Sequence, residues 1–125
     1  MSKVLPDLLY TKTHEWVKVE GDVATVGITD YAQHNLGSIV YLEATEAGES
    51  VKQFQQFGVV ESVKAASDLM SPVSGVVLEV NQEAIDSPEL INTDSYETWI
   101  IKVKLSDAKE LANLLNPEAY QTECK

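Results

Sequence analysis

Arginine is absent from this sequence, and its nine basic residues are all lysines. The chain therefore lacks guanidinium groups, the planar donors that bind phosphate in a bidentate manner. Aspartate and glutamate together number 20, which sets the formal net charge at −11 at pH 7. A surface this acidic repels nucleic acids and anionic membranes, so we expect neither as a partner. It would be attracted to basic patches on proteins, although solubility alone explains the charge equally well.

Cysteine is nearly absent too, because Cys124 is the single thiol of the sequence. An intramolecular disulfide is thus excluded, which suits a reducing compartment. No run of 18 apolar residues occurs, and the N-terminal segment MSKVLPDLLY has the features of neither a signal peptide nor a transit peptide. We therefore expect a cytoplasmic protein, or a mature protein of the mitochondrial matrix if the source is a eukaryote.

Most catalytic and metal-binding patterns are missing as well. The sequence has no phosphate-binding glycine loop and no dinucleotide fingerprint, and the pair His14–Glu15 lacks the second histidine of a zinc protease motif. Two separated histidines and one cysteine do not form a metal-ligand cluster. We therefore expect no metal site and no catalytic residue, so any reactive group must be supplied from outside the chain.

The sequence does contain a series of short segments with the alternation and β-branched composition of strands. The predicted strands are 16–19, 22–28, 38–44, 57–63, 76–80 and 99–105. Short strands separated by turn signals predict a mainly β fold, either a sandwich or a flattened β-barrel. A chain of 125 residues is the size of one domain, so we expect residues 1–125 to form a single unit.

Short helices are expected at two places in this β framework. One helix is predicted near 29–36, and a C-terminal helical region is predicted over 106–123. Asp107 and Glu110 form a capping-box-like pair at the start of that second region. Residues 82–97 are expected to be irregular, since they are polar and contain a proline.

Lys64 stands in the segment ESVKAASD, residues 61–68, among small and apolar neighbours. Residues 57–63 predict a strand that leads to it and residues 69–80 predict the return, so 57–80 is expected to form a hairpin. A lysine amine at the tip of that hairpin is accessible to enzymatic acylation, which removes its charge and leaves a long tether. The alternative is an ordinary solvated surface lysine.

Several motifs together resemble the H protein of the glycine cleavage system, a family of lipoyl carriers. They are THEW at 13–16, VGITDYAQ at 26–33, FGVVESVKAASD at 57–68, SPVSG at 71–75 and SPELIN at 87–92. The resemblance covers nearly the whole chain. It implies a flattened β-barrel or sandwich of the lipoyl-domain type, the barrel-sandwich hybrid, with added helices. It also implies that Lys64 carries lipoate in amide linkage.

The resemblance extends to other residues of the attachment hairpin. Gly58 and Gly75 match the glycines that flank this hairpin in the family. Glu61, Val63 and Ala65 surround the lysine, and we expect the lipoyl-attaching enzyme to recognise them. That enzyme is thus one implied partner of the chain.

The function implied by the resemblance is that of a carrier rather than an enzyme. The lipoyl arm shuttles the aminomethyl group of glycine from a pyridoxal-phosphate glycine decarboxylase to an aminomethyltransferase that uses tetrahydrofolate. A flavin (FAD) dihydrolipoamide dehydrogenase then reoxidises the arm. Thr13, Glu15 and Asp68 match family positions at which the loaded arm is sheltered from water. Glu15 is the leading candidate, since a carboxylate can hold a protonated amine.

The sequence departs from the family pattern at two places that matter below. Phe54 stands where family members often have glycine, and the segment SYETW at 95–99 lacks the glycine that commonly precedes the tryptophan. Two alternatives therefore stay open. The chain could be an H-like protein that relays lipoyl groups to other enzymes or serves another oxidation. It could also be an unmodified β-sandwich interaction module with an ordinary Lys64.

Overall fold

A computed structural model describes residues 3–124 of the chain. Within this range the backbone forms nine β-strands, named in chain order: β1 (Leu9–Tyr10), β2 (Glu15–Glu20), β3 (Val23–Ile28), β4 (Ile39–Ala44), β5 (Ser50–Val51), β6 (Gln56–Ser62), β7 (Ala66–Met70), β8 (Gly75–Val80) and β9 (Ile101–Leu105). The helices are α1 (Asp30–Leu36), α2 (Gln82–Asp86), α3 (Leu90–Thr93), a 3₁₀ helix (Ala108–Asn113) and α4 (Pro117–Gln121).

The strands form two antiparallel sheets that share one core. Six strands form the first sheet in the order β1-β2-β3-β9-β8-β5, and three form the second in the order β4-β6-β7. Aliphatic side chains from both sheets meet in this core, among them Val17, Val26, Leu42, Val60, Leu69 and Val103. The predicted mainly β fold of the sandwich type is therefore confirmed.

The alternation of side chains explains how the strands form. In β3, Ala24, Val26 and Ile28 point into the core and are at most 2% exposed, while Val23 and Thr25 on the other face are only half-buried. β-Branched residues suit such a pleated, half-buried surface. The burial of one face per strand is the main stabilising term of the fold.

The first helix begins and ends where the sequence indicates. The Thr29 hydroxyl accepts a hydrogen bond from the Ala32 N–H at 3.2 Å, which satisfies one of the free donors of the first turn. Gly37 follows the helix with a φ of 79° and donates its N–H to the Gln33 carbonyl at 3.0 Å. The helix predicted near 29–36 is thus confirmed. None of the helices within residues 3–124 is long and apolar enough to cross a membrane.

Two other predictions about helices are wrong. Residues 82–97 are not irregular, because they contain α2 and α3, which are separated at Ser87 and Pro88. The capping box at the C-terminal region does not form either. Asp107 does accept a hydrogen bond from the Lys109 N–H at 3.0 Å, but the Glu110 carboxylate turns away to Ser74, accepting from its N–H at 2.8 Å and its hydroxyl at 2.7 Å. A tertiary partner therefore outcompetes the local one.

A buried aromatic cluster fastens the C-terminal segment to the N-terminal strand. The rings of Tyr10 and Tyr120 stack with centroids 4.4 Å apart. The Tyr120 hydroxyl lies 2.8 Å from His14 Nδ1 and 2.6 Å from Thr29 Oγ1. His14 itself has a φ of 74°, and burial lowers the pKa of its imidazole. His14 therefore has a structural role in holding α4 against the sheet.

The segment 95–99 forms its turn without glycine. The Asp94 carboxylate accepts hydrogen bonds from the N–H groups of Tyr96 and Glu97 at 3.1 and 3.2 Å. The Thr98 N–H then donates to the Asp94 carbonyl at 3.0 Å. An aspartate that bonds the backbone ahead of it mimics a turn by itself, so no residue here needs a positive φ.

Candidate functional site

Lys64 lies at the tip of the turn between β6 and β7. The Ser62 N–H donates to the Ala65 carbonyl at 2.7 Å, and the Ser62 hydroxyl accepts from the Ala65 N–H at 3.1 Å. Val63 and Lys64 therefore form the tip itself. The Val63 N–H also donates to the Ser38 carbonyl at 3.0 Å, which ties the tip to the chain just before β4. The lysine thus projects from a fixed turn.

The hairpin is shorter than the sequence indicates, so the prediction that 57–80 forms one hairpin is wrong. It consists of β6 and β7 and ends at Met70, whereas β8 pairs with β5 and β9 in the other sheet. Between β7 and β8, Pro72 lacks a backbone N–H and therefore cannot donate to a neighbouring strand. The Ser71 hydroxyl donates to the Val73 carbonyl at 2.6 Å. The chain crosses there from one sheet to the other.

Gly58 and Gly75 both lie where another backbone passes very closely. A Cβ atom at Gly58 would lie 2.2 Å from the carbonyl oxygen of Glu43, and one at Gly75 would lie 1.9 Å from the carbonyl oxygen of Lys104. Any side chain at these positions would push the neighbouring strand away. The two glycines thus allow β6 to pair with β4 and β8 to pair with β9.

The Lys64 side chain is exposed, and its amine is free of ion pairs. Within residues 3–124, no carboxylate oxygen lies within 4.0 Å of it. Its stem runs beside Gly37, where a Cβ atom would lie 3.7 Å from Lys64 Cε. Val63 beside it is 73% exposed, and Glu61 and Ala65 are exposed as well. The whole tip is therefore accessible to another protein.

Glu15 is a buried carboxylate at the start of β2, only 1% exposed. Its Oε1 atom accepts hydrogen bonds from the hydroxyls of Thr11 and Thr13 at 2.6 and 2.5 Å. Its Oε2 atom accepts from the backbone N–H of Met70 at 3.1 Å. No cationic side chain in residues 3–124 lies within ion-pair distance of this carboxylate. The negative charge is thus hydrogen-bonded but lacks a counter-charge.

Burial raises the pKa of Glu15 to about 7, and the hydrogen bonds from Thr11, Thr13 and Met70 oppose the shift. A carboxyl group with a pKa this far above its ordinary value marks a candidate functional site. A protonated amine placed beside it would supply the missing counter-charge and would favour its ionised form.

A cavity of about 460 Å³ adjoins the Glu15 carboxylate. The donors Thr11, Thr13 and Met70 all belong to its wall, so the carboxylate lies directly behind that wall. The complete lining is Tyr10, Thr11, Lys12, Thr13, Phe54, Met70, Asn113 and Leu115. The lining thus combines aromatic and aliphatic side chains with hydroxyl, amide and amine groups. This combination suits a long apolar chain that ends in a polar group.

A larger depression of about 690 Å³ lies between β4 and β8, but it contains no buried ionisable group. Within residues 3–124 no cluster of three or more histidine, cysteine, aspartate or glutamate side chains could hold a metal ion. The cavity beside Glu15 is therefore the better candidate for a binding site.

The structure brings Thr13 and Glu15 together but leaves Asp68 outside the cavity lining. Asp68 is exposed on β7, where its Oδ1 atom accepts a hydrogen bond from Gln56 Nε2 at 3.1 Å. Its strand nevertheless leads from the turn of Lys64 to Met70 at the cavity wall. Asp68 therefore lies between the two parts of the site.

Helix α1 connects the same two regions in the opposite direction. It begins beside the Glu15 strand, because the Thr29 N–H donates to the His14 carbonyl at 3.0 Å. It ends at Gly37, beside the stem of Lys64. At 1.5 Å per residue the helix is about 10 Å long. The helix length thus gives the order of magnitude of the separation between the Glu15 strand and the Lys64 stem.

The chain is similar to proteins of one family over nearly its whole length. The family model of the glycine cleavage H-protein matches residues 8–125. The chain is 57% identical over 120 residues to the glycine cleavage system H protein of Clostridioides difficile, covering 95% of this chain and 96% of that protein. It is 54% identical to the mitochondrial glycine cleavage system H protein 2 of Arabidopsis thaliana, covering 99% of this chain and 80% of that protein.

This chain belongs to the glycine cleavage H-protein family. A crystal structure of the H protein from Mycobacterium marinum superposes on it with a TM-score of 0.88, at 37% identity, over 96% of this chain and 98% of that one. The barrel-sandwich fold implied by the sequence resemblance is thus confirmed.

Glycine cleavage H proteins are lipoate-bearing carriers, not catalysts, and the chain is therefore a carrier component of the glycine cleavage system. Its partners are the three enzymes expected from the sequence: the glycine decarboxylase, the aminomethyltransferase and the dihydrolipoamide dehydrogenase of that system. The two alternative functions are not favoured by these comparisons.

Sequence reasoning missed several residues of the cavity. Thr11 and Met70 contact the Glu15 carboxylate directly, and Tyr10 and Leu115 line the adjoining wall. Thr11 and Thr13 precede Glu15 by four and two residues, but such spacing is too common among threonines to indicate a shared partner. For Phe54 a signal did exist, namely a bulky residue at a family glycine position.

Proposed function

We propose that Lys64 is the residue on which this carrier bears lipoate in amide linkage. The observation that supports this most is an exposed, unpaired amine on a turn that the Ser62 hydroxyl closes. Acylation there would break no ion pair and no buried contact. The surrounding segment VESVKA also matches the attachment sequence of the family.

In vitro attachment tests this assignment. The chain is incubated with a lipoyl-attaching enzyme, and its intact mass is measured. Wild type should gain one lipoyl group, and Lys64→Arg should gain none while unfolding at the same temperature. Lys104→Arg, which changes an exposed lysine on β9, should be lipoylated like wild type. Lipoylation of the Lys64→Arg chain would show that another lysine is the acceptor.

We infer that the attaching enzyme reads the side chains around the tip, namely Glu61, Val63 and Ala65. The Val63 side chain is too exposed to stabilise the fold by burial. Contact with a partner protein would bury its apolar surface and so stabilise the complex. Glu61→Gln and Val63→Ser should therefore slow lipoylation without changing the unfolding midpoint. The exposed control Glu49→Gln should leave the rate unchanged. Equal rates for all variants would remove these residues from the recognition surface.

We propose further that the cavity beside Glu15 shelters the end of the loaded arm. Lipoate supplies a disulfide ring that can be reduced and can carry a small group on sulfur. The residues of the chain bind the amine of the aminomethyl cargo and exclude water from it. The Glu15 carboxylate accepts a charge-assisted hydrogen bond from that amine, and the Thr13 hydroxyl orients the carboxylate.

The buried state of Glu15 supports this proposal. An unpaired carboxylate is costly to bury, and burial raises the pKa of this one to about 7. The cargo amine is a cation of the right charge for the site. Asp68 lies on β7 between Lys64 and Met70 and does not line the cavity. We propose that it contacts the lipoyl arm between the lysine and the cavity.

The stability of the isolated loaded carrier tests the shelter. Glu15→Gln should accelerate loss of the aminomethyl cargo by about tenfold to a hundredfold, the range expected for a lost hydrogen bond to a charge. Thr13→Val should have a smaller effect in the same direction, and Glu49→Gln should have none. An unchanged rate in Glu15→Gln would place the cargo elsewhere.

We propose that this carrier works in the cytoplasm, or in the mitochondrial matrix if its source is a eukaryote. Similarity to H proteins of bacteria and to a mitochondrial H protein of Arabidopsis supports this. Fractionation of the native cells, followed with an antibody against the chain, should recover it with cytosolic or matrix markers. Recovery in the membrane or secreted fraction would contradict the proposal.

A further inference from the structure

Phe54 has an unusual backbone conformation at the mouth of the cavity. Its φ is 63°, in the left-handed region that bulky side chains avoid. The residue is 51% exposed and lines the cavity together with Met70 and Tyr10. A large aromatic side chain that is both strained and exposed contributes little to folding. Strained residues of this kind concentrate at ligand sites, where the surrounding structure compensates for them.

The turn that contains Phe54 is held firmly by its surroundings. The Phe54 N–H donates to the Ser71 carbonyl at 2.7 Å, and the Ser71 N–H donates to the Gln55 carbonyl at 2.9 Å. Next to it, the Gln53 side chain donates to the carbonyls of Pro72 and Glu110, both at 2.9 Å. These bonds offset the strain and hold the backbone of Phe54 in place beside the cavity.

The wall around Phe54 complements the chemistry of an acylated lysine. The polar groups near Glu15 suit the charged end of a ligand. Phe54, Met70, Tyr10 and Leu115 supply the apolar part of the lining, and Phe54 is the one of these four that is largely exposed to solvent. Contact with an aromatic ring buries apolar surface on both partners and displaces water from the mouth.

We propose that Phe54 binds the apolar part of the lipoyl arm and covers the cavity mouth while the loaded arm is inside. The inference rests on the proposed shelter beside Glu15 and adds a residue at a position where family members often have glycine. Phe54 thus keeps water from the cargo by apolar contact, whereas Glu15 holds the amine by charge.

Three variants of the lipoylated and loaded carrier test this role. Phe54→Gly removes the ring and relieves the positive φ, so it should keep or raise the unfolding midpoint but speed cargo loss by about tenfold. Phe54→Leu retains apolar cover and should stay within about threefold of wild type. Leu78→Ala, which shortens an exposed apolar residue on β8, should leave cargo loss unchanged. Cargo loss at the wild-type rate in Phe54→Gly would overturn the proposal.

NMR of the wild-type chain provides a readout that needs no substitution. The Phe54 ring signals and the Met70 methyl signal should shift between the unlipoylated and the loaded carrier. The Leu78 methyl signals should not shift. Unchanged Phe54 signals on loading would also overturn the proposal.

The two proposals fail in distinguishable ways. If Glu15→Gln speeds cargo loss and Phe54→Gly does not, the proposed shelter beside Glu15 is supported and the proposed role of Phe54 is wrong. If neither variant changes cargo loss, the shelter itself is wrong, and the role of Phe54 falls with it.

Discussion

The backbone N–H of Met70 donates a hydrogen bond of 3.1 Å to the carboxylate of Glu15, and this bond connects the two sheets of the carrier. Met70 is the last residue of the hairpin that presents Lys64, and Glu15 is the first residue of β2 in the other sheet. The attachment hairpin is therefore fastened directly to the buried carboxylate. This contact links the two ends of the proposed path of the arm.

Glu15 should titrate near neutral pH and make stability depend on pH. Its pKa is about 7 in the folded chain against an ordinary value of 4.5, so the folded state binds the proton more tightly than the unfolded chain. The free energy of unfolding should therefore fall as the pH rises from 4.5 to 7, by about 3 kcal/mol in total. Glu15→Gln should lack this fall, as measured by urea unfolding at several pH values.

Two outcomes would contradict this prediction. The first is a difference in unfolding free energy between wild type and Glu15→Gln that stays constant from pH 4.5 to 8. The second concerns the loaded carrier, in which the cargo amine should lower the pKa of Glu15. An NMR titration that finds the same pKa in loaded and unloaded forms would separate Glu15 from the cargo.

Gly58→Ala should destabilise the fold although alanine is usually a better strand residue. The added Cβ atom would lie 2.2 Å from the Glu43 carbonyl oxygen, so β4 and β6 must move apart. Overpacking of this kind costs about 1–3 kcal/mol. Gly48→Ala is the steric control, since a Cβ atom there has no neighbour within 4 Å and only its φ of 91° is unfavourable. Thermal unfolding that ranks Gly48→Ala as the more damaging change would refute this reading of Gly58.

Tyr120→Phe should loosen the attachment of the C-terminal segment. The lost hydroxyl contacts His14 Nδ1 and Thr29 Oγ1 in a buried place, and loss of these two hydrogen bonds costs about 1–3 kcal/mol. Tyr41→Phe is the matched control, because that hydroxyl is exposed and bonds only Glu43 among the described residues. Denaturant unfolding should show a clear loss for Tyr120→Phe and almost none for Tyr41→Phe. Equal losses would mean that burial of the cluster does not matter.

Association with the three partner enzymes should depend on salt. The net charge of −11 attracts basic surfaces over long range, and salt screens this attraction. The association rate constant, measured by stopped flow, should fall as sodium chloride rises from 20 to 300 mM, where the Debye length shortens to about 6 Å or less. Dissociation rates should change much less. A salt-independent association rate would show that the acidic charge serves solubility alone.

Local chemistry made part of this structure predictable from sequence. The strands follow from alternation, and α1 follows from its cap at Thr29 and its stop at Gly37. Lys64 was identified as a displayed residue, since its neighbours are small and its hairpin strands are regular. These features depend on residues close together in the chain.

The cavity depends on contacts that no local pattern encodes. Glu15 and Met70 are 55 residues apart, and His14 and Tyr120 are 106 apart. The capping box at Asp107 was predicted wrongly because Glu110 has a better partner in Ser74, 36 residues away. The predicted extent of the hairpin, 57–80, was also wrong. The chain passes from one sheet to the other near Pro72, and this depends on tertiary packing rather than on local sequence.

Peptide mass spectrometry of the chain purified from its native cells, grown with lipoate, tests the central claim most directly. The account predicts a lipoyl group on the peptide that contains Lys64, and none on peptides that contain the exposed Lys52 or Lys104. A chain that is never modified at Lys64 under these conditions would contradict it.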